Sequence, residues 1–261
     1  MIMDPMNLPH ERISRAIRRS TDAGRTALIP YMTAGYPTKD GFIPTLKAIA
    51  GEADVVEVGV PFSDPMADGV TIQRASHAAI AAGVSLRWIL EELSANAPYD
   101  APIVLMSYLN PLLNHGYDKL ARASVRAGVC GYIIPDLPIE ESGELQRTLD
   151  PHGLALIQLV TPATPPARLE RLCDASRGFI YAVTVTGITG GASDLPAEVT
   201  GYLDRVRSLA TLPVCAGFGV RRAEQVRALA SHADGVVVGS ALVEQLEAGA
   251  DPVAFLGSLR S

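Results

Sequence analysis

The sequence predicts an α/β protein of the (βα)8 class, a TIM barrel with one extra helix before its first strand. Short apolar runs alternate with amphipathic helical stretches, and eight such units fit into 261 residues without a break in composition. Eight units in about 250 residues match the usual size of such a barrel. A doubly wound open sheet is the rival, but no GxGxxG motif follows the first apolar run.

The strand candidates are near-continuous apolar runs, as expected where helices cover a parallel sheet. They span 27–35, 55–61, 103–108, 131–137, 155–161, 179–185, 213–219 and 235–240. The clearest helical stretches span 117–128, 141–153 and 197–210, and a leading helix spans 11–24. We therefore expect residues 1–261 to form a single barrel domain, with about residues 1–10 as a flexible N-terminal extension.

Composition excludes several functional classes. The net charge is −6 and no basic run is interleaved with aromatic residues, which argues against nucleic acid as a partner. No signal peptide is recognisable, and no run approaches the roughly 18 apolar residues of a membrane span. Three widely spaced cysteines, Cys130, Cys173 and Cys215, are typical of a reduced cytoplasmic protein with packed thiols.

Glu57 is a carboxylate inside the apolar run VVEVGVP at 55–61. Side chains alternate along a strand, so Glu57 faces either the barrel interior or the surrounding helices, and an unpaired charge is costly on both sides. One interpretation is structural: Glu57 caps a helix or pairs with an arginine behind the sheet. The other is functional: Glu57 lies near the pocket floor with a raised pKa and acts as acid and base.

Asp64 and Asp68 lie in the loop PFSDPMADG that follows this strand. Aspartate, proline, glycine and serine are ordinary turn residues, so each aspartate has a strong structural interpretation. Asp68 nevertheless follows the Glu57 strand closely, at the barrel end where active sites form. Two carboxylates from one βα unit can approach a substrate from two sides, as acid–base chemistry requires.

Glycine-rich segments follow the last three strand candidates. They are TGITGG at 186–191, GFG at 217–219 and GS at 239–240. Glycine lets backbone N–H groups approach a ligand closely, and a helix N-terminus adds positive potential. These segments therefore predict a phosphate site made of backbone amides, since no lysine or arginine lies within GFG or GS.

The distribution of lysine and histidine excludes other chemistries. The lysines Lys39, Lys47 and Lys119 lie away from the strand ends, so a Schiff-base aldolase is disfavoured. The five histidines lack metal-ligand spacing, and GxSxG is absent. The chemistry left is that of a metal-free, cofactor-free barrel with two carboxylates and a phosphate site.

The segment VEVGVPFSDPMADG, with TIQ at 71–73, closely resembles the signature of the tryptophan synthase alpha subunit family. PYMTAGYP at 30–37, PDLPIEES at 135–142, TGITGG, GFG and GSALV follow in the family's order and spacing. The resemblance implies a (βα)8 lyase that cleaves indole-3-glycerol phosphate to indole and glyceraldehyde 3-phosphate in tryptophan biosynthesis.

The resemblance also implies a role for individual residues. Glu57 would be the catalytic acid–base, and Asp68 would hold the indole N–H. The substrate and its phosphate would be bound by Tyr181, Thr189, Gly190, Phe218, Gly219, Gly239 and Ser240. Thr189 would help to orient Asp68 when its loop closes. Independently of the resemblance, the glycine- and threonine-rich composition of loop 186–196, beside the predicted phosphate site, leads to the hypothesis that this loop is a lid.

The family works with a pyridoxal-phosphate beta subunit, usually as an αββα complex, and the alpha chain itself holds no cofactor. The resemblance implies that 61–69 and 135–142 face that partner, with Asp64, Asp136 and Pro138 as contacts. Alternatives are a free-standing indole-releasing lyase, another sugar-phosphate isomerase or epimerase, or a non-catalytic barrel that activates a partner.

Three positions depart from the pattern of many or some members of the family. Val70 replaces a proline, Tyr36 an aspartate and Val185 a polar residue. None of them is Glu57 or Asp68, so these departures bear on the loops and leave the predicted reaction unchanged.

Overall fold

The computed structural model describes residues 8–183 and 195–260. Its eight parallel strands close into one barrel in sequence order, with β1 paired to both β2 and β8. The strands are β1 Ala27–Thr33, β2 Val56–Gly59, β3 Ile103–Met106, β4 Val129–Ile133, β5 Ala155–Val160, β6 Ile180–Val183, β7 Val214–Gly217 and β8 Gly235–Val238. The predicted (βα)8 class is confirmed.

Helices surround the barrel, and several units carry two. Within the described residues they are α1 Pro9–Asp22, α2 Phe42–Glu52, α3 Val70–Ala81, α4 Leu86–Asn96, α5 Leu109–His115, α6 Tyr117–Arg126, α7 Gly143–Leu149, α8 Pro166–Ala175, α9 Ala197–Leu209, α10 Ala223–Leu229, α11 Ser240–Glu247 and α12 Pro252–Leu259. None of the helices in the described ranges is long and apolar enough to cross a membrane.

The helix predicted over 141–153 is shorter than expected. Only Gly143–Leu149 is α-helical, and 3₁₀ turns flank it at Ile139–Glu141 and Asp150–His152. Pro151 lacks the N–H that a continuing helix needs, and Gly153 then turns the chain with a φ of +65°.

The strands separate two apolar layers. Val56 and Val58 point outward into the cluster shared with the helices, whereas Val55 belongs to the smaller cluster inside the barrel. Alternation therefore places Glu57 on the inner face, together with Val55. The cysteines Cys130, Cys173 and Cys215 are all buried and free, as the sequence predicts.

Helix α1 closes the N-terminal end of the barrel. Ile13 and Ile17 are fully buried in the inner cluster, and the Ser14 hydroxyl donates to the Gly178 carbonyl at 2.6 Å. Helix α1 begins at Pro9, so residues 9 and 10 are helical although they were expected in a flexible extension. In the described part of the chain, the barrel interior is therefore open to a ligand at the opposite end.

Candidate active site

A pocket of about 570 Å³ opens at the C-terminal ends of the strands. Six residues that the sequence singled out line it: Glu57, Asp68, Tyr181, Gly219, Gly239 and Ser240. They come from β2, β6, β7, β8 and the loops that follow, so only the closed barrel brings them together.

Glu57 lies on β2 opposite Tyr31 of β1 and Val104 of β3, and its side chain is 1% exposed. Its Oε2 atom has no hydrogen-bond partner, and no ion pair to Glu57 is found among the described residues. Burial, and secondly the nearby charge of Asp68, raise the pKa of Glu57 to about 8. Among residues 8–183 and 195–260, no helix cap or arginine is found to pair with this carboxyl, so nothing there supports the structural interpretation.

Asp68 lies in the loop between β2 and α3. Burial raises its pKa to about 6, and a hydrogen bond from Tyr108 acts in the opposite direction. At neutral pH Asp68 is therefore ionised while Glu57 holds a proton. Such a division into one acid and one base is typical of carboxylate pairs that catalyse proton transfer.

Side chains from α3 and from the end of β3 fix this loop. The Tyr108 hydroxyl accepts a hydrogen bond from the Ala67 N–H at 2.8 Å and bonds the Asp68 carboxylate. The Gln73 amide donates to the Asp68 carbonyl at 2.9 Å. Phe62 stacks on Tyr108 with ring centroids 4.9 Å apart. Asp68 is thus held by groups that the loop sequence alone does not contain.

Two tyrosines flank the carboxylates, each over a glycine. A Cβ atom at Gly59 would overlap the Tyr31 hydroxyl, and one at Gly217 would lie 2.6 Å from the Tyr181 ring. The family resemblance implied a role for Tyr181, whereas Tyr31 and Tyr108 were not predicted. Strand alternation could have found Tyr31, since it shares the inner face of β1 with Ala27 and Ile29.

Three of the residues predicted to bind phosphate lie together. Gly219, with a φ of +65°, and the N-terminus of α11 at Gly239 and Ser240 line the same pocket. Phe218 is not among the pocket-lining residues; it is 1% exposed in the outer cluster, because alternation along β7 turns it toward the helices. Thr189, Gly190 and Val185, and the predicted lid except for residues 195–196, lie outside the described residues.

The residues predicted to face a partner are exposed. Asp64 accepts a hydrogen bond from its neighbour Ser63 at 2.5 Å, and Asp136 accepts one from the Leu109 N–H at 2.9 Å. Pro138 is exposed at the start of a 3₁₀ turn. Met66 and Val70, which are 89% and 77% exposed, add apolar surface beside Asp64.

Comparison with known proteins extends over almost the whole chain. The family described as "Tryptophan synthase alpha chain" matches residues 17–254. Proteins of that name from Desulfovibrio desulfuricans and Nitratidesulfovibrio vulgaris strain DP4 are 46% and 44% identical, over 96% and 94% of this chain and 98% and 96% of theirs.

Solved structures agree with these sequence matches. A Mycobacterium tuberculosis tryptophan synthase chain superposes with a TM-score of 0.88 at 37% identity, covering 95% of this chain and 96% of that one. Tryptophan synthase subunit alpha from Legionella pneumophila strain Paris has a TM-score of 0.86 at 33% identity, covering 95% and 97%.

Proposed function

The chain belongs to the tryptophan synthase alpha chain family, and we propose from this premise that Glu57 and Asp68 carry out the family's reaction. That reaction is a lyase cleavage of indole-3-glycerol phosphate that releases indole. The observation that carries the proposal is the buried Glu57 carboxyl, whose Oε2 has no partner and which shares one pocket with Asp68.

The reaction needs a place for the electron pair of the breaking carbon–carbon bond. The indole ring itself supplies it: a proton on ring carbon C3 produces an iminium-like tautomer. Glu57, protonated at neutral pH, donates that proton and then accepts the proton of the glycerol hydroxyl. The hydroxyl carbon becomes a carbonyl, the bond to C3 breaks, and its electron pair restores the neutral indole. Glu57 ends the cycle protonated again.

Asp68 stabilises the positive charge that develops at the ring nitrogen. An ionised carboxylate is well suited to this role because it accepts the indole N–H and strengthens that bond as charge develops. The hydrogen bonds from Tyr108 and Gln73 hold the loop in place before substrate binds. No reorganisation of the loop is then needed at the moment of reaction.

The phosphate of the substrate binds to backbone amides of Gly219, Gly239 and Ser240, with Gly190 as a further donor. Support comes from the shared pocket and from the N-terminus of α11, an ordinary anion site. Tyr181 packs against the substrate, and Thr189 orients Asp68 when the lid closes. Members of the family hold no cofactor themselves.

The chain acts in the cytoplasm with a pyridoxal-phosphate beta subunit as an αββα complex. Alpha chains of the family form complexes with beta subunits. The exposed Asp64, Asp136, Pro138 and Met66 lie on loops at the pocket end of the barrel and form the contact surface. Indole then passes directly from this pocket to the partner.

Single-turnover cleavage of indole-3-glycerol phosphate tests the proposal. Wild type is compared with Glu57→Gln, Asp68→Asn and the control Asp174→Asn, an exposed carboxylate on α8, each with and without the beta subunit. We expect indole release by wild type and control, faster with the partner, and nearly none by the two site variants. A wild type that stimulates the partner but releases no indole would instead be a scaffold, and cleavage that is unaffected by the beta subunit would indicate a free-standing lyase.

A further inference from the structure

A second and larger concavity lies on the outside of the barrel, between α4 on one side and α5 and α6 on the other. Its volume is about 1070 Å³, and it shares no lining residue with the pocket of Glu57 and Asp68. We call it the α4–α6 cleft. The proposed lyase function makes no use of it.

Positively charged side chains line the α4–α6 cleft. Lys119, Arg122 and Arg126 recur at helical spacing and so lie on one face of α6, and Arg87 faces them from α4. None of these four makes an ion pair with any described residue, and Glu91 is the one acidic residue in the lining. Four cations therefore meet one carboxylate in a chain whose net charge is −6.

His115, at the end of α5, lines the same cleft and is affected by these positive charges. Its pKa is lowered by burial and then by the charges of Arg87 and Lys119. Because none of the four cations has an ion-pair partner among the described residues, their mutual repulsion is not offset there. A bound anion would remove that repulsion.

We propose that the α4–α6 cleft binds a small organic anion with at least two oxyanion groups, phosphate or carboxylate. Arginine binds both groups in a bidentate manner, and two arginines on α6 with a third on α4 can hold two such groups at once. Val84, Leu86 and Leu90 provide an apolar floor for the carbon skeleton of the ligand.

The surface of the cleft favours a small ligand over a protein segment. Protein interfaces are built around buried aromatic and aliphatic anchors and are depleted of lysine at their centres. The large apolar side chains that are exposed in the described part of the chain are Met66, Val70, Ile80, Leu113 and Val125, and none of them lines the cleft.

The position of the cleft links its occupant to the catalytic loop. Val60 and Pro61 line the cleft and directly follow β2, between Glu57 and Asp68 in the chain. A ligand held by Arg87 and Arg122 therefore lies in the same concavity as the segment from which the Asp68 loop begins. Binding and catalysis are separable, because the cleft residues lie outside the pocket.

Isothermal titration calorimetry of the full chain at low salt, with tripolyphosphate and with citrate as probes, tests the proposal. The cleft variant Arg122→Gln/Arg126→Gln is compared with Arg15→Gln/Arg19→Gln, a matched pair of exposed arginines on α1. We expect one equivalent of probe to bind to wild type when saturating glyceraldehyde 3-phosphate occupies the phosphate site of the pocket. Affinity should fall by about tenfold or more in the cleft variant and by less than about twofold in the control.

Three results would overturn the proposal: no binding to wild type, equal weakening in both double variants, or tighter binding of an oligoglutamate peptide than of citrate. Nuclear magnetic resonance of the histidine side chains locates the probe independently, since an anion in the cleft raises the pKa of His115. None of these readouts depends on lyase activity, so failure here leaves the assignment of Glu57 and Asp68 intact.

Discussion

The hydroxyl end of Tyr31 occupies the space directly over Gly59, where any side chain would collide with it. Tyr31 lies opposite Glu57 in the β1–β2 register, two residues before the position that pairs with Gly59. Its ring lines the pocket, where burial raises the pKa of its phenol and the nearby charges of Asp68 and Glu57 raise it further. Gly59 thus determines where the wall of the pocket stands relative to the catalytic carboxyls.

Gly59→Ala should displace the Tyr31 ring into the pocket. Overpacking of this kind costs about 1–3 kcal/mol of stability, and we expect kcat/KM to fall by about tenfold or more, because a small misplacement at the reacting centre is costly. Thermal unfolding and steady-state kinetics measure both effects. Gly51→Ala is the control: Gly51 is in α2 with free space around it, so alanine there should be neutral or stabilising. Unchanged kinetics in Gly59→Ala would contradict this role of Tyr31.

The pH dependence of kcat/KM should be bell-shaped. Activity requires ionised Asp68 and protonated Glu57, so it rises as the pH passes about 6 and falls as the pH passes about 8. The two limbs belong to the coupled pair. Measurement between pH 5 and pH 9 in a buffer of constant ionic strength tests this. A flat profile over that range would exclude the proposed division of roles.

Glu57 should make the folded protein less stable as the pH rises. Its folded-state pKa of about 8 lies above the ordinary value of 4.5, so the folded state binds more protons between these two values. Stability is then fully present below about pH 4.5 and decreases as the pH rises to about 8, by an amount on the order of a few kcal/mol. Glu57→Gln removes this dependence. We expect urea unfolding at pH 6 and pH 9 to show a smaller loss of unfolding free energy in Glu57→Gln than in wild type. An equal loss of unfolding free energy in both proteins would contradict this role of Glu57.

Tyr108→Phe should shift the acidic limb of the pH profile upward. The Tyr108 hydroxyl bonds the Asp68 carboxylate and lowers its pKa, and it also accepts from the Ala67 N–H. Loss of this group leaves a higher pKa at Asp68, a freer loop and a lower kcat/KM. Tyr99→Phe is the control, because the Tyr99 hydroxyl bonds the Leu93 carbonyl on α4, away from the pocket. The same shift in both variants would indicate a general structural effect.

Much of the site follows from local sequence patterns, because those patterns fix strand direction and loop position. Alternation along β2 put Glu57 on the same face as Val55, the structure shows that this face is the inner one, and the position of Asp68 in the loop after β2 pointed to the active-site end of the barrel. Tyr31 and Tyr108 were missed because an aromatic residue in or beside an apolar strand has the same pattern as a core residue. Their role depends on tertiary structure, which brings β1 and the segment after β3 next to β2 and its loop.

Phe218 and the α4–α6 cleft are two further features that local sequence patterns did not predict correctly. The family resemblance implied that Phe218 lines the pocket, but the alternation that continues past the end of β7 turns its side chain outward. Arg87 and Arg126 are far apart in a sequence that is acidic overall, and only the packing of α4 beside α6 brings them to one cleft. Charge that is assembled by tertiary structure cannot be found by a search for basic runs.

Closure of the barrel between β1 and β8 has a consequence for synthesis on the ribosome. Ala27–Pro30 of β1 pair with Gly235–Val238 of β8. Roughly 200 further residues must therefore be translated before this edge of β1 can form its native pairing. Arg260, which bonds Asp54 and the Glu52 carbonyl, arrives later still. Until then the nascent chain presents an unpaired apolar edge, and an unpaired edge is a template for wrong pairing. The closed barrel that shapes the pocket therefore leaves the unfinished chain with an open strand edge until its last strand has been made.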